Sequence, residues 1–211
     1  KLMSLTSEER SRGVICASAG NHAQAVAYHA TRLGIRSKVV MPLNAPLTKV
    51  QATTGYGGEV IQHGWTFDDA QAEAFRICDA EGLIYVHAFN DDAIIAGQGA
   101  IGLEILEQVP NVEAIVVPIG GGGLIGGIGC AVKSLKPDVR IVGVEAERVP
   151  SMKKAVEAHQ PVTVPPAVTI ADGIGVRCVG VKTLPLAEKY VDEIVTVDEE
   201  EIATAILFLL E

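Results

Sequence analysis

The sequence predicts an α/β fold of two open, mostly parallel twisted sheets flanked by helices, with a cleft between the two lobes. Three observations carry this expectation. Short β-rich runs alternate with longer segments of helical period along the chain. Most of these runs are apolar nearly throughout, as strands covered on both faces need to be. Two strand ends run into loops of Gly, Ser or Asn that open a helix, the arrangement in which ligands sit beyond the carboxyl edge of a parallel sheet.

Residues 1–6 read as the middle of a helix. Strands are predicted at 13–17, 37–41, 59–62 and 83–86. A polar stretch, His87-Ala88-Phe89-Asn90-Asp91-Asp92, then sets a lobe boundary, giving a smaller lobe over 1–90 and a larger one over 91–211. The larger lobe holds strands at 114–119, 140–145 and 193–197, and right-handed crossovers would order both sheets. Asn44 is expected to cap a helix with Pro46 in its first turn. Thr66 or Asp68 opens the helix that runs to about residue 80 and stops at Gly82. Asp198 with Glu201 forms a capping-box start for the last segment. The segment 159–180, with Pro161, Pro165 and Pro166, is too long for an ordinary connection and reads as a functional loop. Starting in mid-element and stopping in a helix-like run at Leu209-Leu210-Glu211, the chain is expected to be cut at both ends.

Its 211 residues suffice for one good-sized domain or two small ones sharing a seam. Apolar residues make up 48% and aromatics only 4%, so the core must be built from Val, Ile, Leu and Ala, and disorder is excluded. A formal charge of -9 without any Lys/Arg cluster is the wrong sign for gripping nucleic acid. The longest apolar runs, 114–119 and 202–210, fall short of the ~20 residues that span a bilayer. The four cysteines, Cys16, Cys78, Cys130 and Cys178, have no paired spacing and read as buried reduced thiols of a cytoplasmic protein. His29, His63, His87 and His159 lack ligand-type spacing and read as surface or loop residues, so no metal is expected from them.

Two loops carry chemistry. In Ser18-Ala19-Gly20-Asn21-His22, an apolar strand runs into a helix whose first N–H groups suit a carboxylate; Ser18 and Asn21 add a hydroxyl and an amide. The same loop also suits a simple helix cap. In Gly120-Gly121-Gly122-Gly123-Leu124, four glycines between strand and helix let the backbone approach a ligand closely, and their N–H groups form a nest for a phosphate. Gly121-x-Gly123-x-x-Gly126 also fits a dinucleotide fingerprint, with Glu145 where a ribose-binding acid would sit, so a dinucleotide-dependent oxidoreductase stays open as an alternative.

Taken with Val40-Met41-Pro42, Ala45-Pro46, Lys49, Ala96-Gly97-Gln98-Gly99, Ile101-Gly102-Leu103-Glu104, Gly143-Val144-Glu145 and Ala171-Asp172-Gly173, these loops resemble the threonine/serine dehydratases. Those enzymes belong to the fold-type II pyridoxal-phosphate group, related to tryptophan synthase β. The resemblance runs through essentially the whole chain. It implies pyridoxal 5'-phosphate as cofactor, a cofactor cleft between the lobes, a small hydroxy amino acid as substrate and a homo-oligomer. It assigns Asn21 to the cofactor's phenolic oxygen and Ser18, Ala19, Gly20, Asn21 and His22 to the substrate carboxylate. Gly120, Gly121, Gly122, Gly123 and the Leu124 N–H fall to the phosphate, and Gly173 to a place near the substrate amine. The implied reaction is β-elimination from L-threonine or L-serine to 2-oxo acid and ammonia, in amino-acid metabolism such as isoleucine biosynthesis. Ser-Ala-Gly-Asn-His at the first loop favours the dehydratase and racemase branch.

Three departures accompany these matches. The family's Schiff-base lysine lies upstream of Lys1 and its pyridine-nitrogen partner downstream of Glu211, so the catalytic residue is not identified within the chain and turnover by the chain alone is not expected. A non-catalytic assembly module of the same fold is therefore the alternative. Some relatives bind a divalent cation through an acid at the Glu145 position; here Ser151 stands where a second acid belongs.

Overall fold

A computed structural model of the chain describes residues 1–210. The chain divides into two compact units, Lys1–Ala88 and Phe89–Glu211, each built on a parallel sheet. The division falls two residues before the boundary read from the polar stretch, because the Phe89 ring lies against Gly121 of the second unit.

In the first unit the strands β1 (Val14–Ala17), β2 (Ser37–Met41), β3 (Glu59–Gln62) and β4 (Ile84–Tyr85) lie in the order β3-β2-β1-β4, all parallel. All four residues of β1 are buried, as the apolar run Val14-Ile15-Cys16-Ala17 at the sheet centre requires. Around this sheet pack α1 (Ser7–Arg12), α2 (Asn21–Arg32), α3 (Leu47–Gly55) and α4 (Phe67–Glu81). Helix α2 buries Ala23, Val26, Ala27 and Ala30, one face at helical spacing. Helix α4 buries Ala70, Ala74 and Ile77 against Ile15, Ala17 and Val40. Small alanines let both helices sit close to the sheet.

The second unit carries α5 (Asp92–Gln108), β5 (Ala114–Pro118), α6 (Gly123–Leu135), β6 (Arg140–Ala146), α7 (Ser151–Ala158), α8 (Leu184–Tyr190), β7 (Glu193–Val197) and α9 (Glu199–Leu210). Its strands run parallel in the order β5-β6-β7, and its core joins Ile115, Val117, Ile125, Ile128, Ile141 and Met152. Helices α5 and α6 touch backbone to backbone: a Cβ on Gly127 would collide with the Ile95 carbonyl, and one on Gly99 would lie 3.1 Å from the Gly127 carbonyl oxygen. No helix among the described residues is long and apolar enough to cross a membrane.

Several local expectations need correction. Residues 1–6 are not the middle of a helix; a 3₁₀ turn at Leu2–Ser4 precedes Thr6, which opens α1. Its hydroxyl accepts from the Glu9 N–H at 3.2 Å and the Glu9 carboxylate accepts from the Thr6 N–H at 2.8 Å, a reciprocal pair that stops a helix from passing through. Asn44 caps nothing, since α3 begins after Pro46 without a side-chain cap. Thr66, not Asp68, opens α4, paired with Asp69, and Gly82 ends it. Asp198 and Glu201 do form their reciprocal pair, at 2.8 and 2.9 Å. Strand β5 alternates instead of being buried throughout, with Val116 65% exposed, because nothing among the described residues covers that face. The cysteines are free thiols, yet only Cys16 is buried; Cys78 sits on the rim of α4 with its thiol turned to the Leu83 carbonyl. The loop 159–180 is irregular apart from the 3₁₀ turn Asp172–Ile174. It is pinned by Arg148 to the Val168 carbonyl at 2.9 Å and by the Ile170 N–H to Glu199 at 2.7 Å.

Two stability outcomes follow from this packing. Thr66→Ala removes the acceptor for the Asp69 N–H at the start of α4 and is expected to cost about 1 kcal/mol in urea unfolding. Asp192 accepts from Lys133 Nζ at 2.9 Å and from the Ile141 N–H at 2.7 Å, and the lysine foremost, with that N–H, holds its carboxyl below the ordinary range. Its folded pKa is depressed, so its stabilisation is present above the unfolded value of about 3.9 and is lost as the pH falls through it. Asp192→Asn should therefore lower the urea midpoint at neutral pH and flatten its decline in acid; an unchanged pH profile would refute this.

Candidate active site

The first loop leaves the buried strand β1 at Ser18. Its hydroxyl turns back to accept from the Gly20 N–H at 3.1 Å, while the Ser18 N–H donates to the Val40 carbonyl at 3.1 Å. Two of the loop's donors are thus spent on its own shape. Gly20 is the N-cap of α2 with no side-chain cap bond, so neither Ser18 nor Asn21 acts as the simple helix cap that the sequence allowed. Asn21 is the first helical residue and is exposed, and among the described residues its amide makes no side-chain bond. Among the described residues the N–H groups of Ala19, Asn21 and His22 find no acceptor, as is usual for the first turn of a helix.

His22 is anchored differently. Its Nε2 lies 2.9 Å from the Val86 carbonyl, a contact only a protonated ring nitrogen can make, so Nε2 carries the hydrogen and Nδ1 the lone pair. Burial pushes its pKa below the usual histidine value, partly offset by that bond.

The second loop leaves β5 at Ile119 and enters α6 at Gly123. Gly121, Gly122 and Gly123 are buried, and Gly122 adopts φ 89°, a left-handed conformation that a side chain would strain. Phe89 presses on Gly121 and Gly123 and Met152 and Thr183 on Gly122, so a Cβ at any of these three would strike a neighbour, while one on Gly120 would lie a tight 3.2 Å from the Ile174 Cα. Among the described residues the N–H groups of Gly121, Gly122, Gly123 and Leu124 find no acceptor. Buried N–H groups are almost always paired, and unspent donors at a helix N-terminus are of a kind that an oxygen-rich anion such as a phosphate monoester can satisfy. Gly173 lies in the turn whose Ile174 Cα would meet a Cβ on Gly120 at 3.2 Å, and Gly173 itself faces open space.

Glu145 is fully buried, and its two carboxylate oxygens accept from the Met152 N–H at 2.7 Å and the Lys153 N–H at 2.9 Å. Burial raises its pKa, with these two bonds opposing. Both oxygens cap α7, which removes Glu145 as a ribose-binding acid and with it the main support for the dinucleotide reading. Among the described residues no group of three or more His, Cys, Asp or Glu side chains could hold a metal ion. Of the other histidines, His29, His63 and His159 are exposed and His87 is half-buried, with His159 Nδ1 at 2.8 Å from Glu188. Sequence reasoning missed Phe89, Met152 and Thr183, the residues that shape the glycine loop. Only Thr183 left a signal, a hydroxyl residue ahead of the Leu184-Pro185 helix start.

The pyridoxal-phosphate dependent enzyme family matches residues 1–211. An L-threonine ammonia-lyase of Thermotoga maritima is 52% identical over 211 residues, which are 100% of this chain and 53% of that protein. The processed form of threonine deaminase isoform 2 from Solanum lycopersicum superimposes with a TM-score of 0.94 at 39% identity, covering 99% of this chain and 57% of that one. Maize serine racemase does so with a TM-score of 0.93 at 36% identity, covering 99% and 63%. The chain spans about half the length of the threonine ammonia-lyase it matches at 53% coverage. With parallel sheets, two ligand-ready strand ends and a match along its full length, the chain belongs to the pyridoxal-phosphate dependent enzymes.

Proposed function

We propose that this chain is part of a pyridoxal-phosphate-dependent ammonia-lyase that deaminates L-threonine, L-serine or both, to 2-oxo acid and ammonia. The observation that carries the reading is the buried glycine loop with unspent N–H groups at the start of α6, in a chain similar to proteins named threonine ammonia-lyase and threonine deaminase. When bound, the cofactor supplies the electron sink for bond breaking at the amino acid's Cα.

The chain's own residues bind and orient. Gly120, Gly121, Gly122, Gly123 and the Leu124 N–H hold the phosphate through fixed dipoles. Ser18, Ala19, Gly20, Asn21 and His22 form the loop for the substrate carboxylate, with the free N–H groups of Ala19, Asn21 and His22 as donors. The Asn21 amide donates to the cofactor's phenolic oxygen, and Gly173 flanks the substrate amine. The reading includes a cytoplasmic location, supported by four free cysteines, and self-association, supported by the exposed Leu207, Phe208, Leu209 and Leu210 of α9.

Release of 2-oxo acid and ammonia from L-threonine or L-serine, by the complete protein that carries these residues with pyridoxal 5'-phosphate present, tests the activity; no release from either amino acid overturns it. Asn21→Ala is expected to lower kcat by about 100-fold while the phosphate affinity holds. Gly122→Ala forces a side chain into φ 89° and against Met152 and Thr183. It should weaken pyridoxal 5'-phosphate binding at least about tenfold, read by calorimetry, with the far-UV circular dichroism unchanged.

A further inference from the structure

We propose that Thr183 is a positioning residue that turns the Gly121–Gly122 peptide so that its N–H is presented to a phosphate group. The inference rests on the reading of the glycine loop as the phosphate site and deepens it. Thr183 is fully buried at the start of α8, and its Oγ1 lies 2.6 Å from the Gly121 carbonyl oxygen and 3.1 Å from that of Gly180. The Gly180 carbonyl already accepts from the N–H groups of Thr183 at 3.2 Å and Leu184 at 3.1 Å. The single hydroxyl proton therefore goes to the nearer acceptor, Gly121. In return Oγ1 accepts from the Gly180 N–H at 3.1 Å, which also reaches the Gly121 carbonyl at 3.3 Å. Two donors thus hold one carbonyl.

The consequence runs through the peptide plane. The Gly121–Gly122 peptide is trans, so the Gly122 N–H points opposite to the Gly121 C=O, away from Thr183. There it finds no acceptor among the described residues. With glycine on both sides, this peptide has no Cβ to resist a flip, and a flip would turn a carbonyl oxygen toward the anion. The hydroxyl removes that choice. Thr183 is itself held in place because the Lys182 N–H donates to the Asn90 side chain at 2.9 Å, which fixes the turn, and because its β-branch restricts χ1.

Titrating pyridoxal 5'-phosphate and phosphate-free pyridoxal into the 211-residue chain and its Thr183→Val and Thr183→Ser variants tests this, with urea unfolding as the control for folding. Thr183→Val is expected to weaken the phosphate ester about tenfold and pyridoxal by less than about twofold, and Thr183→Ser to recover all but about threefold of the loss. A valine variant that keeps its affinity for the phosphate ester, or loses both ligands equally, overturns the inference alone. If the unmodified chain shows no preference for the ester, the phosphate-site reading falls and takes the inference with it. Should the valine variant not fold, the amide resonances of the unmodified chain decide the matter under titration with inorganic phosphate. The Gly122 N–H is expected to move strongly while that of Gly126, bonded to the Gly122 carbonyl, stays; a Gly122 resonance that does not move overturns the proposal.

Discussion

Three adjacent glycines, Gly121, Gly122 and Gly123, can be buried with their N–H groups unspent among the described residues only if the neighbours are shaped to the missing side chains, and the packing around the start of α6 answers that demand. Phe89 fills the space over Gly121 and Gly123, Met152 and Thr183 that around Gly122, and Ile174 that beside Gly120. Two of these residues have a visible support of their own. Met152 is carried by α7, whose first N–H groups are closed by the buried carboxylate of Glu145. Thr183 is carried by the turn that Asn90 holds. An acid at the end of one strand therefore acts on the glycine loop through a helix terminus and a methionine, and its burial is a matter of architecture.

The fold was legible because parallel strands with small helical faces leave a strong signal. Val14-Ile15-Cys16-Ala17 are all buried in β1, and Ala23, Val26, Ala27 and Ala30 are buried along one face of α2, as their spacings imply. The first loop and the glycine loop were legible because strand, polar or glycine turn and helix follow one another without a gap. What the sequence hid was long-range. Nothing local says that Glu145 faces α7 and not a ligand, since an acid at a strand end reads alike in both cases. Phe89 lies in a polar stretch and Met152 in an ordinary helix, and their approach to the glycines comes from chain crossovers that local periodicity does not encode. Residues 1–6 misled for the opposite reason: a Thr and a Glu three residues apart outweigh a weak helical run.

The two loops solve related problems by different means. In the glycine loop the backbone is shaped from outside, by side chains pressing on it. In the first loop the shape is internal, with the Ser18 hydroxyl closing on the Gly20 N–H two residues away. The first arrangement yields a dense set of donors suited to three oxygens of one group; the second leaves fewer donors and an exposed amide at Asn21 that is free to choose its acceptor.

The bond between His22 and the Val86 carbonyl has a consequence for how this protein meets a changing environment. With its one ring hydrogen committed and its protonation opposed by burial, the imidazole beside the first loop adds no charge as the surroundings acidify toward the ordinary histidine range. A carboxylate held at the start of α2 is gripped by peptide dipoles, which do not titrate. For a carboxylate bound there, this ring would therefore be a poor source of sensitivity to acidity around neutrality.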